Sequence, residues 1–363
     1  MTEVTKRKKR ASGIELLRIL AMFAIIAHHF STHVDWGEVT QLNSYWINIF
    51  GSFGRVGVAI FFIITGYFLT RQKSYNWKKI FNVLRPTWFY SLLFLGIFTL
   101  LKDERIFLSF PLNAYLQKSI FPILSNSYWF ISTYVVVSLL SPYLKKMLDA
   151  LSDKELLKIL VIFFGCGFCT LLFNVAISNA TTSILMISVG IFYLIVGYTI
   201  SRYQEKIKSN SWCFVGILLS LILIALSPII NHVAYQFGYV YPKDLFTDVF
   251  APATIIFSVS IFILFSRFKF SNSIINYVAG LTFGIYLIHE NLFVASTLWN
   301  TDKIFNISSH GADNVFHFVL YSFGITLLIF VTCGILEWIR KLSVKLISYI
   351  CNFENIPNKK EEA

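Results

Sequence analysis

The 363-residue chain is 56% hydrophobic and 17% aromatic, with charged residues held to 14% and a mean hydropathy of +0.66. Soluble domains carry about 25% charged residues, so this composition excludes an ordinary soluble domain and leaves a polytopic membrane protein. The net charge of +12 would suit a nucleic-acid partner, but its placement along the chain decides against that.

The chain opens with KRKKR at 6–10, followed by the apolar stretch LLRILAMFAIIAHHF at 16–30. No small-residue cleavage site follows, so this reads as a retained first span with a cytoplasmic basic flank rather than a secretory signal. Crossing about 30 Å of hydrocarbon takes roughly 20 apolar residues. Ten such runs are centred near residues 24, 60, 93, 135, 165, 191, 220, 258, 287 and 327, separated by polar breaks such as RQKSYNWKK, SDKELLK and SRYQEKIKS. Alternate breaks hold 24 of the 31 Lys and Arg, the other breaks hold 5, and Arg18 and Arg55 lie within spans. Positive residues are retained on the cytoplasmic side. The pattern predicts an all-α polytopic transmembrane helix bundle of about ten spans with both termini cytoplasmic. The basic charge is then topological: the partner is the lipid bilayer, and no nucleic acid is expected. One membrane domain is expected over 13–345, between a basic N-terminus (1–12) and a short C-terminal tail (346–363). The expected location is a cell membrane, multi-pass, and the richness in Ile, Lys, Asn and Phe suggests a bacterial one.

Five cysteines, an odd number mostly in or beside apolar runs, do not form a secreted disulfide framework. Cys166 and Cys169 have the spacing of a metal pair but lack a second pair. Core packing is expected for them, and no metal.

The polar residues inside the spans carry the functional signal, because an ionisable group at membrane depth costs a few kcal/mol. Arg18 and His29 are eleven residues apart, which on a helix is roughly 16 Å of rise and a return to within about 20° of the same face. Glu15, one turn before Arg18, is placed to pair with it. The glycine-rich GSFGRVGV at 51–58 reads as close helix packing, with Arg55 near the outer end of the second span. The basic 71–85 segment, with Lys73 and Arg85, falls on the cytoplasmic side. Tyr128 and Trp129 open the fourth span, where aromatic residues usually anchor the interface. His289 and Glu290 come roughly 20 Å up a ninth span read as one ascending helix. His29, Arg55, His289 and Glu290 are therefore expected in one outer layer, with Arg18 below. Each has a plainer reading, as an interhelical ion pair or a packed histidine; the joint arrangement lifts the functional one above these.

These residues resemble the acyltransferase-3 family of integral-membrane acyltransferases, which O-acylate cell-surface glycans and related acceptors. The family's first span carries a basic residue, ten residues, then His, as Arg18 and His29 do here, with an acidic residue at the place of Glu15. The second-span motif is similar to Gly57-Val58-Ala59-Ile60-Phe61-Phe62-Ile63-Ile64-Thr65-Gly66-Tyr67. Arg85-Pro86, the stretch 128–146 and Gly284-Ile285-Tyr286-Leu287-Ile288-His289 follow in order. Two positions depart from the pattern: Ala59 stands where an aspartate is common, and Asn82 where a second basic residue is frequent.

The resemblance implies acetyl-CoA or another short acyl-CoA as cytoplasmic donor and a hydroxyl of a glycan or lipid-linked glycan as acceptor. Arg18, Glu15, Arg85 and Lys73 are then expected at the donor, since Arg suits phosphates. His29, Arg55, His289 and Glu290 are expected at the chemistry. His29 would act as general base or carry the acyl group itself, and Arg55 would stabilise the oxyanion. The rival readings are a transporter or flippase of a glycan precursor and a non-catalytic membrane partner of a polysaccharide synthase. Transporters commonly show inverted repeats and broken helices at matching positions, and neither is legible here.

Overall fold

The computed structural model describes residues 11–72, 77–101, 112–172, 179–207, 209–238, 246–299 and 304–354. These form α1 (Ser12–His33), α2 (Gln41–Leu69), α3 (Lys78–Leu101), α4 (Leu112–Ile120), α5 (Trp129–Ala150), α6 (Asp153–Leu172) and α7 (Asn179–Tyr203). Then come α8 (Ser211–Gln236), α9 (Pro252–Ser266), α10 (Ser273–Ala279), α11 (Thr282–His289), α12 (Leu292–Trp299), a 3-10 turn (Ile307–Ala312) and α13 (Val315–Glu354). There is no strand among the described residues, and the molecule is an all-α polytopic membrane bundle. Leu, Ile, Val and Phe side chains stand exposed along α8 and α13, as lipid-facing helices require.

Each of the ten apolar runs falls on a helix. Seven helices are long and apolar enough to cross a membrane, or eight with one bent pair counted as a span. The runs near 135 and 258 fall outside that set. The first lies on α5, whose last turns carry Lys145, Lys146 and Asp149, and the second on α9, only 15 residues long.

The antiparallel pair α1–α2 is the centre of the bundle. Its glycines set the spacing: a side chain at Gly54 would run into His28, and one at Gly57 would meet the Ala21 carbonyl. The 51–58 segment is therefore a packing surface, as its composition suggested. On its other side α2 meets α7 at Gly66 and Gly197, where backbone approaches backbone. α3 and α6 are peripheral, and α6 buries little of itself. Cys166 and Cys169, expected in the core, are exposed on α6, because α6 turns most of its surface outward.

The ninth run departs from expectation. It is broken into α10, α11 and α12, with the last bent 79° from the helix before it. The bend has a local cause: Asn291 Oδ1 accepts from Phe293 N at 3.1 Å and caps α12, while Asn291 Nδ2 donates to Tyr128 Oη at 2.8 Å. A side chain that satisfies a new helix start makes the break stable. No break is read in the sequence because α11 and α12 are both mostly apolar and neither glycine nor proline stands between them.

At the bundle end that carries most of the basic residues, hereafter the basic end, α1 is tied to the start of α10. Ser12 Oγ donates to Asn276 Oδ1 at 2.8 Å and accepts from Asn272 N at 2.7 Å. Near that end, buried Glu337 joins three helices. It accepts from Tyr90 Oη of α3 at 2.7 Å and from Arg340 at two 2.7 Å contacts, and it lies against Gly284 of α11.

Candidate active site

α1 and α11 run side by side and bring His29 and His289 together, Nδ1 to Nε2, at 3.1 Å. Both rings are buried. His289 Nδ1 stands 2.6 Å from the Ile285 carbonyl, which only accepts, so that nitrogen carries the proton and Nε2 is bare. His29 Nδ1 must then be the donor in the pair, which leaves the lone pair of neutral His29 on Nε2. Hydrogen bonding at one ring nitrogen decides the chemistry of the other.

Glu290 Oε2 lies 2.9 Å from the same His29 Nδ1. Its position is off the line of the N–H, and the oxygen has no hydrogen bond among the described residues. His33, one turn above His29, stacks on it with ring centroids 4.5 Å apart and planes 5° apart. The result is a compact group in which His29 is oriented by the His289 imidazole, which holds a base in one tautomer, with a carboxylate beside it.

Below this group a cavity of about 360 Å³ opens toward the basic end. On α1 its wall includes Arg18, Met22 and Ile25, and His29 continues the same stripe one turn higher. On α11 it includes Thr282 and Tyr286, one turn below His289. Arg18 is held by Glu15 at 3.2 Å. Tyr286 is buried, and its hydroxyl has no hydrogen-bond partner among the described residues. Burying a hydroxyl without a partner costs about 1–3 kcal/mol, so this one, on a residue of the cavity wall, is a polar group kept at a cost.

A second, polar cavity of about 510 Å³ lies roughly 100° round α1. Its wall includes His28, Arg55, Asn48, Tyr45, His232 and Tyr235. His28 Nδ1 donates to the Gly51 carbonyl at 2.7 Å, and the His28 ring centroid is 5.7 Å from that of His29.

Of the residues singled out in the sequence, the structure brings His29, His289 and Glu290 into contact and puts Arg18, paired with Glu15, on the stripe beneath them. Arg55 instead faces the polar cavity, with Asp248 at 3.8 Å, because its position on α2 turns it toward His28. Arg85 is exposed on α3, although Val83 nearby does line the lower cavity. Lys73 lies outside the described residues. Sequence reasoning missed His33, Tyr286 and Asn291. His33 was findable, four residues after His29 on the same face. Tyr286 and Asn291 acquire their surroundings only from the break in the span.

A family model described as an acyltransferase domain matches residues 12–336, from the first residue of α1 into α13. No curated protein and no solved structure matches the chain. The chain belongs to the acyltransferase-3 family.

Proposed function

We propose that this membrane acyltransferase moves an acetyl or other short acyl group from acyl-CoA, entering at the basic and cytoplasmic end, to a hydroxyl of a cell-surface or lipid-linked glycan reached from the opposite face. The observation that carries the reading is the stripe of α1 on which Arg18, Met22 and Ile25 line the lower cavity and His29 follows one turn above them. It gives a cation for the donor's phosphates low down and an oriented imidazole at the top. A long, thin pantetheine arm suits a path along that stripe.

The residues divide the chemistry as follows. His29 Nε2 takes the proton of the acceptor hydroxyl while the oxygen attacks the thioester carbon. The carbonyl oxygen gains charge, and the Tyr286 hydroxyl, which has a proton to donate and belongs to a residue of the cavity wall, stabilises it. That role was expected of Arg55; Tyr286 is the better candidate because it stands in the same cavity wall as the donor path. The tetrahedral intermediate collapses, the C–S bond breaks, and the CoA thiolate takes the proton from His29. Glu290 stabilises the imidazolium that exists between these steps. The polar cavity beside His28, with amides, hydroxyls and two tyrosines, has the chemistry of a sugar-binding pocket and supports a glycan acceptor.

The test uses protein purified in detergent with Arg18→Ala and His29→Ala variants, measuring acetyl-CoA binding and slow thioester hydrolysis. Wild type is expected to bind and hydrolyse, Arg18→Ala to lose binding, and His29→Ala to bind without turnover. A folded wild type that neither binds nor cleaves acetyl-CoA, or a His29→Ala variant with normal turnover, overturns the proposal.

A further inference from the structure

Outside the candidate active site, the segment His310-Gly-Ala-Asp313-Asn-Val-Phe-His317 links the 3-10 turn to α13. We propose that His310, Asp313 and His317 form a binding site for a divalent transition-metal ion of the zinc type. His310 Nδ1 lies 2.7 Å and His317 Nδ1 2.8 Å from a single oxygen, Asp313 Oδ2. The three donor atoms all lie within 4.8 Å of one another.

The frame that holds them is built before any ion arrives. Asn43, fully buried, donates through Nδ2 to the carbonyls of Gly311 at 2.9 Å and Asp313 at 2.8 Å. The Thr40 backbone N–H donates to Gly311 O at 3.2 Å. The start of α2 thus grips the backbone between two of the ligands. The His310 ring packs on Tyr321 with centroids 4.0 Å apart, and His317 is carried on the first turn of α13. Only His317 is largely exposed, at 61% of its side chain, so it is the ligand free to adjust and the side from which a hydrated ion enters.

The donor set selects the ion. Two imidazoles and one carboxylate suit Zn²⁺ and its neighbours, whereas Ca²⁺ and Mg²⁺ want oxygen. Tetrahedral Zn²⁺ at about 2.0–2.2 Å from each ligand separates them by roughly 3.3 Å. Each contact therefore opens by about half an ångström, and the ion replaces the two imidazole protons that now point at Asp313. A fourth position remains for water. A second trio, His29, His33 and Glu290, also has converging donor atoms. There, however, the His29 Nδ1–H already donates to His289, outside the trio, and His29 itself is buried. In the outer trio the hydrogen bonds given for the donor atoms are among the ligands themselves. Occupancy would staple the 3-10 turn and the start of α13 to α2, and stabilise the fold by mass action.

The experiment takes full-length protein purified in detergent through a histidine-free tag, stripped with a chelator and dialysed. It is titrated with Zn²⁺ by calorimetry and with Co²⁺ by visible absorption. Wild type is expected to bind one equivalent, the His310→Ala/His317→Ala double variant none, and His33→Ala one equivalent as in wild type. Should the double variant misfold, His317→Ala alone, at the exposed position, is expected to weaken binding about tenfold or more. The proposal is overturned by a wild type that binds no Zn²⁺, by undiminished binding in the folded His310/His317 variants, or by loss of binding in His33→Ala.

Discussion

Ser12 and Asn272 are joined at the basic end of the bundle with a sequence offset of 260 residues, and His29 and His289 meet at the far end of the same two stretches with the same offset of 260. Equal lengths of chain rise from the first pair to the second, so the lower contact sets the register that brings the two imidazoles level. The candidate active site is thus positioned by a hydrogen bond about 25 Å below it.

Breaking that register separates the two histidines without touching them. Ser12→Val removes the hydroxyl that both donates to Asn276 and accepts from Asn272 N. We expect turnover of acetyl-CoA to fall while donor binding persists through Arg18. Steady-state kinetics beside equilibrium binding checks this, and an unchanged kcat would show that packing alone holds the register.

Glu290→Gln keeps the shape of the side chain and removes its charge. It should lower kcat, with the KM for acetyl-CoA little changed, because the carboxylate acts when His29 is protonated. The loss should be smaller than that for His29→Ala, for which removal of a general base costs typically 10²–10⁴. A Glu290→Gln variant that loses donor affinity and retains kcat would place the carboxylate with the donor instead.

Tyr286→Phe deletes one hydroxyl that has no protein partner, so the fold should keep its stability. If the hydroxyl stabilises the thioester oxyanion, hydrolysis and transfer both fall by about 10²–10³. Arg55→Gln should leave donor hydrolysis largely intact. The comparison of these two rates decides between the candidates for that role.

Glu337 is 2% exposed and bound to Tyr90 and Arg340. Removing one partner of a buried ion pair costs about 3–5 kcal/mol. Glu337→Ala should therefore lower the thermal midpoint in detergent markedly. Lys145→Ala, which breaks a pair with exposed Asp149, should shift it little, since exposed pairs are worth about 0–1 kcal/mol. Equal midpoints for the two variants would contradict the role given to Glu337.

The α1–α2 contact offers a packing control. Gly54→Val puts a branched side chain where His28 already stands, whereas Gly96→Ala adds a methyl group facing open space. Overpacking costs typically 1–3 kcal/mol, and here it also displaces the residue next to His29. Loss of both stability and activity in Gly54→Val, with neither in Gly96→Ala, is the expected pair of outcomes in melting and hydrolysis assays.

The sequence by itself determined the all-α membrane class, because too few charged residues leave no other solvent for so much apolar surface. It determined the Arg18–His29 stripe, because helical geometry fixes which residues of one span share a face. It also pointed to the glycine surface of α2, since only a close helix contact gives reason for small residues at that spacing. Those are local properties, carried by pitch and composition. Only the tertiary structure decided that His29 donates to His289, that Arg55 faces a different cavity, and that the ninth run breaks at Asn291. Each depends on a neighbour far away in the chain: Asn272 for the register, Asp248 and His28 for Arg55, Tyr128 for the break. In an apolar span the backbone bonds satisfy themselves, so the residues along it carry little record of where it bends or what it meets.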